Sequence, residues 1–231
     1  MTTSGTTAFT LDLTDLVEEA YERASGGSIE LRSGYDLRTA RRSLNLMMVE
    51  WASRGINLWT VEQGTVALTS GTATYTLPAD TVDLIEHVIR QNAGSVSGQT
   101  DINISRISIG TYSTIPNKLT PGRPIQIYIN RQRDAPTVTV WPVPGDNTYS
   151  LVYWRLRRIQ DAGNGTETPD VPFRFLPALV AGLAYFLAMK LPGMEQRAIA
   201  LKSVYEEAFQ LAADEDRDRA PVRFVPYVGR M

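Results

Sequence analysis

Residues 175–189 read FLPALVAGLAYFLAM, fifteen positions without a charge between Arg174 and Lys190. The fold turns on whether this stretch spans a membrane or is buried inside protein. A bilayer core needs about 20 consecutive apolar residues, and Gly182, Tyr185 and the alanines suit close packing against other helices. The expectation is a buried helix. Pro172 fits its first turn, where a missing N–H costs nothing. The helix runs through Leu191, and Pro192-Gly193 then breaks the chain. A further helix is expected from about Glu195, with Leu201, Val204, Tyr205, Ala208, Leu211 and Ala212 on one stripe.

Two amphipathic helices open the chain. Leu13, Leu16, Val17, Ala20, Tyr21 and Ala24 recur at the i, i+3, i+4, i+7 spacing. Asp12 or Thr14 is placed to cap the start, and Ser25-Gly26-Gly27-Ser28 ends the helix. The second carries Leu37, Ala40, Leu44, Met47, Met48 and Trp51 on one face, with Gly55 placed to stop it. Between residues 56 and about 158 the period changes. β-Branched and aromatic residues alternate with polar ones, punctuated by Gly, Pro and Asn. Val66-Ala67-Leu68-Thr69 and Thr74-Tyr75-Thr76-Leu77 flank Ser70-Gly71 and read as a hairpin. Further strands are expected at 84–90, 102–107, 125–131, 137–141 and 149–157. Connections too short for helical crossovers make the sheet mainly antiparallel.

The resulting plan is α+β. Two N-terminal and two C-terminal helices form a four-helix bundle-like core, interrupted by a mainly antiparallel β insertion. The segments are 1–60 (N-terminal tail and helix pair), 61–158 (β insertion domain), 159–216 (C-terminal helix pair) and 217–231 (extended C-terminal tail). The 231 residues are 43% hydrophobic and 21% charged, which excludes a disordered, collagen-like or coiled-coil chain. A net charge of −2 supplies no global field toward nucleic acid or an anionic membrane. Cysteine is absent, so thiolate nucleophiles, disulfides and sulfur-ligated metals are absent with it. No secretory signal opens the sequence, and an intracellular chain is the expectation.

Catalytic groups are scarce. His87, the only histidine, sits in an expected strand between Glu86 and Val88, so any triad or imidazole-based metal site rests on it alone. No phosphate-loop motif occurs, and Gly94-Ser95-Val96-Ser97-Gly98 misses the nucleophile-elbow spacing by one position. Asp214, Glu215, Asp216 and Asp218 cluster at a helix end, but adjacent helical positions point in different directions. The expectation is no enzyme, no cofactor and no metal.

Contact surfaces are better represented. Trp51 and Trp59 bracket a helix end turning into a strand, and the simplest role for both is to anchor that junction. Ile115-Pro116-Asn117-Lys118 and Pro121-Gly122-Arg123-Pro124 read as a rigid exposed loop presenting Lys118 and Arg123. Residues 217–231 hold Arg217, Arg219, Arg223 and Arg230 against Asp218, a net of +3, interleaved with Phe224, Tyr227 and three valines. Arginine with aromatic side chains is typical of interface hot spots, and Pro221 and Pro226 limit the entropy lost on docking. Arg38, Arg41 and Arg42 lie on the exposed side of the second helix, where a solvated face and a salt-bridging one are equally open.

The order of these elements resembles the head-to-tail adaptor proteins of short-tailed bacteriophages, including the tail-accessory and tail-tubular-A types. The likeness rests on Asp15-Leu16-Val17-Glu18-Glu19-Ala20, on Trp51 and Arg54-Gly55-Ile56-Asn57-Leu58-Trp59, and on Ile115-Pro116-Asn117-Lys118. It continues through Trp141-Pro142-Val143-Pro144 and Val171-Pro172-Phe173-Arg174-Phe175, covering roughly residues 11–228. It implies a structural virion protein without cofactor or membrane contact. The implied form is a homo-oligomeric ring, usually of twelve copies, between the portal protein and the tail nozzle or tube protein, with double-stranded DNA passing through non-specifically. Arg217, Arg219, Arg223, Phe224, Tyr227, Arg230, Arg38, Arg41 and Arg42 are the candidate portal or subunit contacts. Lys118 and Arg123 are the candidate tail-facing loop. The alternative is another tail or minor capsid component that does not touch the portal.

Overall fold

The computed structural model describes residues 3–6, 9, 11–27, 34–55, 58–163 and 166–217. They form two compact units, one drawn from Met1–Trp51 and Asp161–Met231 and the other from Ala52–Gln160. No described helix is long and apolar enough to cross a membrane.

The first unit is helical. Helix α1 (Leu13–Ser25) starts where the Asp12 carboxylate accepts from the Asp15 N–H at 2.9 Å. It ends at Gly26, whose φ of +79° is left-handed. All six residues of the expected stripe are buried. Helix α2 (Gly34–Arg54) buries Ala40, Leu44, Met47, Met48 and Trp51. A 3-10 turn (Phe173–Phe175) leads into the helix Leu176–Ala188, and Glu195–Glu215 follows. These last two are α4 and α5, since the short α3 (Ile109–Ser113) lies in the second unit.

Helix α4 is apolar on nearly every side and therefore occupies the middle of the unit. Gly182 allows α2 and α5 to approach it. A Cβ there would lie 2.4 Å from Met47 Sδ and 2.8 Å from a Tyr205 ring carbon. Beside this contact the Trp51 indole N–H donates to the Tyr205 hydroxyl at 2.8 Å, and Phe175 and Phe209 lie 5.6 and 5.2 Å from the indole centroid.

The second unit opens with a 3-10 turn (Leu58–Thr60) holding the half-buried Trp59. Its strands are β1 (Val61–Ala67), β2 (Thr74–Thr76), β3 (Thr81–Gln91), β4 (Thr100–Asn103) and β5 (Ser105–Ile107), followed after α3 by β6 (Pro121–Gly122), β7 (Gln126–Asn130), β8 (Thr137–Trp141), β9 (Val143–Pro144) and β10 (Tyr149–Arg157). They assemble as β1-β10-β3-β4, β2-β8-β7-β5 and the two-stranded β6-β9. Five pairings are antiparallel; β5 with β7 and β6 with β9 are parallel. Leu84, Ile89 and Leu151 from the first sheet share a core with Ile127, Val138 and Val140 from the second, which makes a two-layer β sandwich.

Several sequence expectations are corrected. The class is α+β, but a four-helix bundle-like core with one β insertion is not what the chain forms. Five helices are present among the described residues, and the β residues fold into several sheets with a core of their own. The buried helix expected at 175–189 is α4, which has no polar face to turn outward. The expected hairpin at Ser70-Gly71 is a crossing between sheets, with β1 pairing to β10 and β2 to β8. The expected strand at 102–107 divides between Asn103 and Ser105, with β4 in one sheet and β5 in the other. On α5 the buried residues are Ala198, Tyr205, Phe209 and Ala212, while Val204 and Leu211 face out at 50% and 67% exposure.

Candidate interaction site

At the acidic end of α5 the Asp214 and Asp216 carboxylates are taken up by arginines, and Asp218 lies outside the described residues. Asp216 is buried against the Arg174 guanidinium, and Asp214 pairs with Arg217. No three His, Asp or Glu side chains converge among the described residues. Burial lowers the pKa of His87, which lies across from Tyr153 on β10.

The expected loop cations separate into different roles. The Lys118 ammonium donates to the carbonyls of Ser113 and Ile115 at 3.2 and 3.0 Å and lies 5.4 Å from the Tyr112 ring centre. It therefore serves the C-terminal end of α3, where carbonyls lack helical partners. Arg123 is exposed and has no ion-pair or hydrogen-bond partner among the described residues. The loop is fixed by Asn117, whose carbonyl accepts from the Trp141 indole at 3.1 Å, and by β6 pairing with β9.

On α2, Arg41 donates to the Gly163 carbonyl at 3.1 Å and Arg42 to the Thr39 hydroxyl at 3.3 Å. Arg38, Arg42, Leu46 and Val49 follow at helical spacing along the outward side, with Leu46 and Val49 about two-thirds exposed. Arg219, Arg223, Phe224, Tyr227 and Arg230 lie outside the described residues.

Along α1 of the helical unit runs a groove of about 720 Å³. Its apolar surface comes from Phe9, Leu11, Phe173, Leu176, Pro177 and Val180. Asp15, Glu18, Glu19 and Glu22 of α1 add a line of carboxylates along it. Only Glu19 is paired among these four, to Arg23 at 2.7 Å. Arg23 also lines the groove and is taken up by Glu19; Asp15, Glu18 and Glu22 form no ion pair among the described residues. Sequence reading noticed the acidic side of α1 but not the groove. The i, i+3, i+7 spacing of the three carboxylates is visible in the sequence, whereas Phe9 and Phe173 reach the site from segments more than 160 positions apart.

No curated protein matches the sequence significantly. The family described as SU10 adaptor protein matches residues 8–225, almost the whole chain. The chain belongs to that family, and is a phage adaptor structural protein.

Proposed function

From SU10 adaptor family membership, we propose that the chain is a head-to-tail adaptor. It forms a ring, of twelve copies by the resemblance, between the portal and the tail nozzle or tube, with the DNA exit channel running through it. The family match over residues 8–225 carries this reading. A ring subunit needs two unlike lateral faces, because head-to-tail contacts close a cycle. The helical unit offers a candidate pair of opposite sign. One is the outward line of α2, with Arg38, Arg42, Leu46 and Val49; the other is the outward line of α5, with Val204, Glu207 and Leu211. Residues 217–231 and the Arg123 loop are left for axial contacts with the portal and the tail. The slight net negative charge of the chain suits a channel through which DNA slides without being held.

Negative-stain electron microscopy of the purified protein, alone and mixed with the portal of the same phage, tests this. An added symmetric collar on the portal is the expected result, lost when residues 221–231 are deleted. A bare portal would reassign the chain to another tail or minor capsid component.

A further inference from the structure

The groove along α1 has no role in the adaptor reading, and its chemistry describes what it binds. The groove carries four carboxylates against one cation, Arg23, which Glu19 takes up, and an apolar floor beside the remaining three suits an extended segment that alternates cations with large apolar side chains. The chain contains such a segment after α5. Residues 218–231 carry Arg219, Arg223 and Arg230 among Val222, Phe224, Val225, Tyr227 and Val228, with Asp218 the only acid.

The exit point of that segment favours the same pairing. Asp216, which caps α5, is ion-paired to Arg174, and Arg174 adjoins Phe173 on the groove surface. The chain therefore leaves α5 close to the groove. Fourteen extended residues reach about 45 Å, while the rise of α1 from Asp15 to Glu22 is only about 10 Å. Arg219 and Arg223 are roughly 13 Å apart in an extended chain, enough to meet carboxylates at both ends of that line. A short tether also gives the segment a local concentration on the order of millimolar, well above that of a partner in dilute solution.

We infer that the groove between α1 and the Phe173–Val180 edge is the docking site of the chain's own C-terminal segment, residues 218–231, with arginines on Asp15, Glu18 and Glu22 and aromatic side chains on the apolar floor. In the free chain the segment is held in the groove. The portal or neighbouring subunit that engages it must displace it from α1, so the attachment segment is withheld until a partner competes for it. This goes beyond the adaptor reading, and its test contains no portal, so either can fail while the other stands.

Because the chain has no cysteine, Glu22→Cys with Arg223→Cys introduces a single reporting pair. Mild oxidation of this full-length variant in dilute solution should give an intrachain disulfide at monomer mass. Disulfide-linked dimers, or free thiols in a folded protein, would overturn the inference. A second measurement avoids any cross-link. Glu18→Gln with Glu22→Gln should raise the rate of limited trypsin cleavage after Arg223 by about tenfold, since the arginine loses its charged partners. The unmodified rate should not change with protein concentration. Equal rates in variant and parent, or protection that grows with concentration, would defeat docking in the same chain.

Discussion

The two units differ in how far their charges are paired. In the β unit the ionised groups are mostly matched across strands: Arg155 bridges Asp80 and Glu62, Arg157 also reaches Glu62, Arg90 grips Asp101, and Asp83 takes both Arg106 and Arg131. In the helical unit Asp15, Glu18 and Glu22 form no ion pair among the described residues, while Leu46, Ile199 and Leu211 remain about two-thirds or more exposed. A surface whose charges are mutually satisfied gains little from a partner. One that leaves carboxylates and apolar side chains together gains much from being covered. The difference singles out the acidic side of α1; exposed apolar side chains do not separate the units, since Ile109 and Leu119 of the β unit are as exposed as Leu46 and Leu211.

Five variants break or sharpen that contrast. The largest effect is expected for Trp51→Ala, which empties the aromatic cluster and removes the indole N–H that donates to the Tyr205 hydroxyl. It should cost about 3–5 kcal/mol in urea unfolding. A loss under about 1 kcal/mol would mean the helical core does not depend on this cluster. Next comes a pair of glycines, each under a tyrosine ring. At Gly182 a methyl group meets Tyr205, held by Trp51, and should cost about 1–3 kcal/mol. At Gly64 it meets the end of the Tyr153 ring, while alanine regains about 0.5–1 kcal/mol of strand entropy. Tyr153 is itself buried in the sandwich core, so Gly64→Ala should be milder only by about the strand entropy regained, and a cost above that of Gly182→Ala would refute the distinction.

Arg155→Met removes the central cation of the β network. Its carboxylate partners are about half exposed, so the loss should be about 1 kcal/mol at neutral pH. The hydrogen bond from Arg155 holds the Asp80 carboxyl below its ordinary range. Its stabilisation is therefore full above the unfolded value near pH 4 and vanishes as pH falls through the lower folded value. Melting temperature against pH should converge for parent and variant in acid. Curves that stay parallel would assign the cost to lost packing. The smallest effect is expected for Glu18→Gln with Glu22→Gln in a chain ending at Arg217, within about 0.5 kcal/mol, because without the C-terminal segment neither side chain has an ion-pair partner to lose among the described residues. A larger loss in calorimetry would make these carboxylates part of the fold rather than of a contact surface.

What the sequence revealed follows the range of the interactions involved. The buried faces of α1 and α2 were legible because a helix repeats within a few residues, so Leu13 through Ala24 and Ala40 through Trp51 state their own periodicity. Sheet membership was not. Tyr75 and Val66 look alike locally, yet one pairs with Val138 and the other with Leu151, partners selected by contacts across more than 60 positions. Val204 and Leu211 misled for a related reason: the stripe on α5 is wider than the face α4 can cover. Lys118 reads as a surface cation because nothing in the sequence places two carbonyls beside it. Of the groove, the carboxylate spacing was visible and the apolar floor was not, since that floor exists only once α1 meets α4.

The interrupted make-up of the helical unit has a consequence during synthesis. Helices α1 and α2 leave the ribosome first, but the helix that covers them begins only at Leu176, beyond the whole sandwich. At about 5–20 residues per second, their apolar faces wait for several seconds to tens of seconds while the sandwich is translated. A nascent chain halted with Gln160 clear of the exit tunnel should therefore be protease-resistant in its strands and cut readily in α1 and α2. Resistance in both would show that the early helices have found a temporary cover, the task of a chaperone or of the sandwich itself.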